Sequence, residues 1–155
     1  MHAFSLEVSH GQIAVFDARL PQPFNDWSDA HIRQGFSWRP GSVSFSTLDG
    51  AGQIQVRVIE GARTHDHDAP PARVILVPFT VPSHGEVEAA TISASEPLQL
   101  QPGEYELTFE HGLAGGVMWA RLSFRSVPAP ITPRIVLADR DLAPPATLVM
   151  TASPA

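Results

Sequence analysis

The stretch GEYELTFEH, residues 103–111, decides the fold class. Apolar side chains fall at every second position, Tyr105, Leu107 and Phe109, with Glu104, Glu106, Thr108 and Glu110 between them. Successive side chains of an extended backbone point to opposite faces, so a period of two predicts a strand with one face in a core and the other in water. The carboxylates of that strand are then expected on the solvent face, adjacent ones about 6.7 Å apart, twice the strand rise. The same period recurs upstream in AFSLEVS (3–9), QIAVFDA (12–18), SVSFSTL (42–48) and QIQVRVIE (53–60). ARVILVPFTV (72–81) is almost continuously apolar, as a strand covered on both faces would be, with Pro78 marking a bulge or an edge position. EVEAATIS (86–93), GVMWARLSF (116–124) and RIVLAD (134–139) complete the series.

About nine or ten short strands, separated by Gly or Pro turns at roughly 8 to 12 residues, predict an all-β fold, an antiparallel β-sandwich of two sheets. The first two segments flank Gly11 and are expected to form an opening hairpin. A chain of 155 residues is the size of one ordinary domain. The expected organisation is a single sandwich domain over residues 1–155, with a proline-rich tail from about 141 that is less ordered.

One segment breaks the pattern. NDWSDAHIRQGFSW, residues 25–38, reads as a short helix in the N-terminal half, capped by Asp26 or Ser28 and ended by Gly35. Trp27, Ile32 and Phe36 are expected to pack it onto the sheets as a lid.

Composition removes several classes. With no cysteine there is no disulfide, thiolate zinc site or cysteine nucleophile. The formal charge of −6 sets net repulsion against a nucleic-acid backbone, so no direct nucleic-acid contact is expected. No basic leader or long apolar run is present, which reads as a cytoplasmic protein without a membrane partner.

Residues His65, Asp66, His67 and Asp68, within THDHDAPP (64–71), are the most metal-like in the chain. Strand spacing would send the histidines to one side and the aspartates to the other, whereas a metal needs three or four converging ligands. A solvated loop is the expected reading, with no metal and no cofactor, and a small metal-dependent enzyme using this loop is the alternative. No nucleophile elbow or phosphate-cradling glycine loop appears. Between Ser83 and His111 stand Glu86, Glu88, Glu96, Glu104, Glu106 and Glu110 with no arginine among them. Trp119, opposite in phase to Met118 and Ala120, is expected to be partly exposed, and Trp38 flanks the helix. Exposed tryptophan is enriched where proteins meet, so Glu86, Glu88, Glu104, Glu106, Glu110, Trp38 and Trp119 form the candidate partner-binding set. A further alternative is an accessory interaction domain.

DWSDAHIRQGFSWRPGSVSFST, residues 26–47, resembles the competence protein J family, described as inhibitors of a DNA-entry nuclease. The order of strand, polar loop, strand ending in VPF, a further strand, and Pro-Gly-x-Tyr-x-Leu hairpin extends the resemblance in outline over residues 4–111. What it implies is a non-catalytic protein that binds and blocks such a nuclease. On that reading the acidic strand face would occupy the nuclease's basic substrate groove through charge complementarity.

Overall fold

The computed structural model describes residues 2–61 and 69–155. Two sheets face each other. One has six strands in the order β1 (His2–Val8), β5 (Gly52–Glu60), β10 (Val117–Ser126), β9 (Gly103–Ala114), β6 (Arg73–Val81) and β11 (Arg134–Leu137). The other has five, in the order β3 (Phe36–Arg39), β4 (Ser42–Ser46), β2 (Gln12–Asp17), β7 (Glu86–Ala90) and β8 (Ser95–Gln99). The one helix among the described residues, α1 (Asp29–Gln34), enters β3 directly. The expected all-β sandwich with one short helix is therefore what forms.

Alternation builds the core as expected. From the six-stranded sheet, Leu6, Val8, Ile54, Val56, Ile75, Val77, Leu107, Phe109, Leu122 and Phe124 are buried, and Ile13, Val15, Val43, Phe45, Val87 and Ala89 meet them from the other. Phe45 and Phe109 stack across the interface at 4.3 Å between ring centroids and 8° between planes. Each such side chain contributes about 1.5 to 3 kcal/mol on leaving water. Gly115 and Gly116, at φ 58 and 80, supply the left-handed backbone that lets β9 turn tightly into β10.

Two pairings depart from expectation, one in its partner and one in its direction. β1 and β2 form no hairpin, because β1 pairs with β5 and β2 pairs with β4 and β7. The chain crosses between the sheets at Gly11 and again near Gly50, and the two crossings are tied by Gly11 N–H to the Gly50 carbonyl at 2.9 Å. β10 lies parallel to β5, a pairing between strands far apart in sequence. Period two says which side chains share a face and nothing about which strand lies alongside.

β6 is buried on both faces from Arg73 to Phe79, and Pro78 sits beyond the three residues that pair with β11. Its carbonyl on that unpaired edge accepts the Trp38 indole N–H at 2.8 Å, fastening β3 to the opposite sheet.

Ser28 caps α1. Its hydroxyl accepts from His31 N–H while the His31 ring accepts from Ser28 N–H, a reciprocal cap, and Gly35 closes the helix at φ 84. Ile32, expected to pack inward, is 57% exposed; the inward residues are His31 and Gln34. The reason is the C-terminal segment. Gln34 Nε2 donates to the Val149 carbonyl and its Oε1 accepts from Val149 N–H, both at 2.9 Å. A His31 ring nitrogen lies 2.8 Å from the Thr151 carbonyl, and Asp26 N–H donates to the Ser153 carbonyl. The polar face of the helix thus meets a backbone strap instead of water, while Leu148 and Met150 of that strap pack on the core.

Candidate protein-binding surface

The acidic residues of the candidate set do not come together. Glu104 and Glu106 lie on the outer face of the six-stranded sheet, because their neighbours Tyr105 and Leu107 point into the core. Glu86 and Glu88 flank the inward Val87 on the outer face of the other sheet. The two pairs are therefore on opposite sides of the molecule.

Most of these carboxylates are already engaged. Glu106 meets Arg125 at 2.8 Å, its register partner on β10, and Glu104 accepts the Thr80 hydroxyl at 2.8 Å. Glu110, expected on the solvent face, is 2% exposed, and Thr108 beside it is buried as well. The outer face of this sheet is covered at that end, which alternation alone could not reveal. Arg121 stands opposite Glu110 in the β9 and β10 register. The arginines missing from residues 83–111 thus arrive from the next strand. Glu86 accepts from Arg19 Nε at 2.8 Å, and His84 beside it contacts Asp17 at 3.0 Å. Glu88 is half-buried.

Trp119 is half-buried and, with Gln55, Arg57 and Arg121, lines a hollow of about 90 Å³. Trp38 is half-buried and held by the Pro78 carbonyl. Residues His65, Asp66, His67 and Asp68 lie outside the described residues. Among the described residues no three His, Asp or Glu side chains are grouped as metal ligands would be, and no helix is long and apolar enough to cross a membrane.

The helix-bearing end of the sandwich carries features that the pattern of acidic residues does not announce. Arg73, 2% exposed at the start of β6, forms a two-pronged pair with Asp139 at 2.8 and 2.9 Å and donates to the carbonyl and hydroxyl of Ser46. A buried charge is tolerable only when so fully paired. Burial alone would raise the Asp139 carboxyl, but the Arg73 guanidinium outweighs it and holds the group below its ordinary value. His111 extends the inward register of β9 and is fully buried. Its Nε2 accepts from Leu48 N–H at 2.9 Å, so Nδ1 carries the proton donated to the Trp119 carbonyl at 2.7 Å. Burial pushes this imidazole down to about 4; the Trp119 carbonyl opposes the shift, Arg73 adds to it, and Asp139 opposes it. The signal for both residues was in the sequence, as polar side chains in the inward phase of otherwise apolar strands.

Above this buried network opens a groove of about 340 Å³. His10, Trp27, Ile32, Thr47, Asp141 and Leu142 form its walls, and Arg73 its floor. The Trp27 indole is fixed by donating to Gln12 Oε1 at 3.2 Å.

Fold and surface define a small two-sheet β-sandwich whose helix-bearing end presents an open groove. The sequence profile of the Competence protein J (ComJ) family matches residues 5–123, and the chain belongs to that family. No protein with a curated description matches it. Among solved structures it is similar to the crystal structure of ComJ from Bacillus subtilis, described as an inhibitor of the DNA degrading activity of NucA. That match has a TM-score of 0.68 at 21% identity and covers 82% of this chain and 96% of that one.

Proposed function

We propose that this protein is a non-catalytic inhibitor that binds a nuclease of the NucA type and blocks its access to DNA. The observation that carries the reading is the match of the ComJ family over residues 5–123, supported by the shared two-sheet fold of a protein described as inhibiting NucA. The formal charge of −6 agrees with it, since a nuclease that grips phosphates presents a basic surface. Steering by that charge speeds encounter, and shape and local contacts then hold the complex.

Strand-face carboxylates already matched to Arg19 and Arg125 would have to give up those partners to serve a nuclease, which lowers what the contact returns.

The test is a titration of the purified protein into the NucA-type nuclease of the same genome while cleavage of a fluorescent duplex is followed. Cleavage is expected to fall with added protein, and the two chains to elute as one complex in size-exclusion chromatography. Undiminished cleavage with separate elution overturns the reading.

A further inference from the structure

We infer that the groove at the helix-bearing end is the docking surface for the nuclease and that it takes a basic side chain, arginine or lysine, from the partner. The inference rests on the inhibitor reading above and adds to it where the contact is made and what fills it.

The first observation concerns charge. Asp29, Asp49 and Asp141 are exposed and form no ion pair among the described residues, in contrast to the matched Glu86 and Glu106. Asp141 is a groove wall; Asp29 lies on α1 with Ile32, and Asp49 lies next to the Gly50 that bonds Gly11 at the groove's edge. Arg33 and Arg140 on the same segments offset part of that charge. Arg73 in the floor does not repel an incoming cation strongly, because its guanidinium is neutralised by Asp139.

The second observation concerns the walls. Trp27 offers an indole, and Ile32 and Leu142 offer aliphatic surface, to the long stem of a basic side chain whose head reaches Asp141. Ile32 is the most exposed large apolar side chain among the described residues, at 57%. It lines the groove together with Trp27, so an apolar and aromatic anchor stands at the centre with the carboxylates as a polar rim, the make-up of a protein interface.

The third observation concerns origin. The walls His10, Trp27, Ile32 and Thr47 and the Arg73 floor fall inside the region that the ComJ profile matches, whereas Asp141 and Leu142 lie beyond its end at residue 123. The C-terminal segment therefore completes the groove with a wall from outside the matched region, placing a determinant of partner choice at Asp141.

The experiment measures inhibition of the same-genome NucA-type nuclease by the wild type, Ile32→Arg, Asp141→Arg and, at the far end of β5, Glu60→Arg as a control. The two groove variants are expected to raise the half-inhibitory concentration at least tenfold, and the control to change it less than about twofold. All these positions are exposed, and thermal unfolding checks that each variant folds. Hydrogen exchange gives a second readout, with amides of residues 28–35 and 140–143 expected to slow on complex formation. A wild type that does not inhibit overturns the function and the docking together. A wild type that inhibits while Ile32→Arg and Asp141→Arg inhibit equally well, or protection confined to other surfaces, overturns the groove and leaves the inhibitor reading standing.

Discussion

At the scale of single residues, His111 makes stability depend on pH. In the unfolded chain the imidazole takes up a proton near pH 6.5, whereas in the folded state it resists until about 4. Between those values the unfolded state binds more protons, so stability is complete above 6.5 and falls as pH drops toward 4. A shift of that size corresponds to about 3 kcal/mol at most. Asp139 works in the same direction at lower pH, since its depressed carboxyl stabilises the fold above its ordinary value and loses that contribution on protonation. Urea unfolding at pH 7.5 and pH 4.5 should show the loss, and His111→Phe should flatten it. That variant should also lose about 1 to 3 kcal/mol at pH 7.5, because the Leu48 N–H and Trp119 carbonyl are left buried without their partner. An equal pH dependence in the variant would assign the effect elsewhere.

At the scale of elements, the helix and the C-terminal strap depend on each other. Leu142 sits so near Gly35 that a Cβ there would come within 3.0 Å of it, and Leu148 and Met150 pack on the core. Gln34, His31 and Asp26 hold the strap through its backbone. Removing residues 142–155 should therefore cost about 3 kcal/mol or more, because Leu142, Leu148 and Met150 no longer shield apolar surface from water, while Gln34 keeps its bond to the Phe36 carbonyl and exchanges the Val149 backbone for solvent. Denaturant midpoints of the full and shortened chains measure it; an unchanged midpoint would mean that the strap contributes nothing to the fold. The helix itself was legible in residues 25–38, with Gly35 as its left-handed end and the cap narrowed to Asp26 or Ser28, of which Ser28 is the one used. Its orientation was not, because six residues present no face that is apolar throughout, and the element covering His31 and Gln34 arrives from more than a hundred positions away.

At the scale of the whole molecule, the charge of −6 is spread over both outer faces and interleaved with arginines. Such a surface should not hold a phosphate backbone: anisotropy of a labelled duplex is expected to stay flat on adding protein up to tens of micromolar at about 150 mM salt. Saturable binding under those conditions would replace protein recognition with direct DNA contact.

By itself the sequence determined nine of the eleven described strands, the inward row wherever apolar and polar residues alternate, and the sandwich class, because the side-chain period of an extended backbone is a local property that Tyr105, Leu107 and Phe109 display in three alternate positions; β3, inside the stretch read as helix, and β8, interrupted by Pro97, show no such row. It also carried the family resemblance in residues 26–47. Only the tertiary structure decided which strands are neighbours, and hence the state of each charge. Pairing in a sheet joins residues distant in sequence, so the row of Glu104, Glu106 and Glu110, bare in the sequence, lies against Arg121 and Arg125 of β10, with its last member buried. The same long-range assembly set Asp139 on Arg73 and brought Asp141 and Leu142 to the groove beside Trp27 and Ile32. No local pattern could have announced those contacts, since each depends on where a remote segment ends its path.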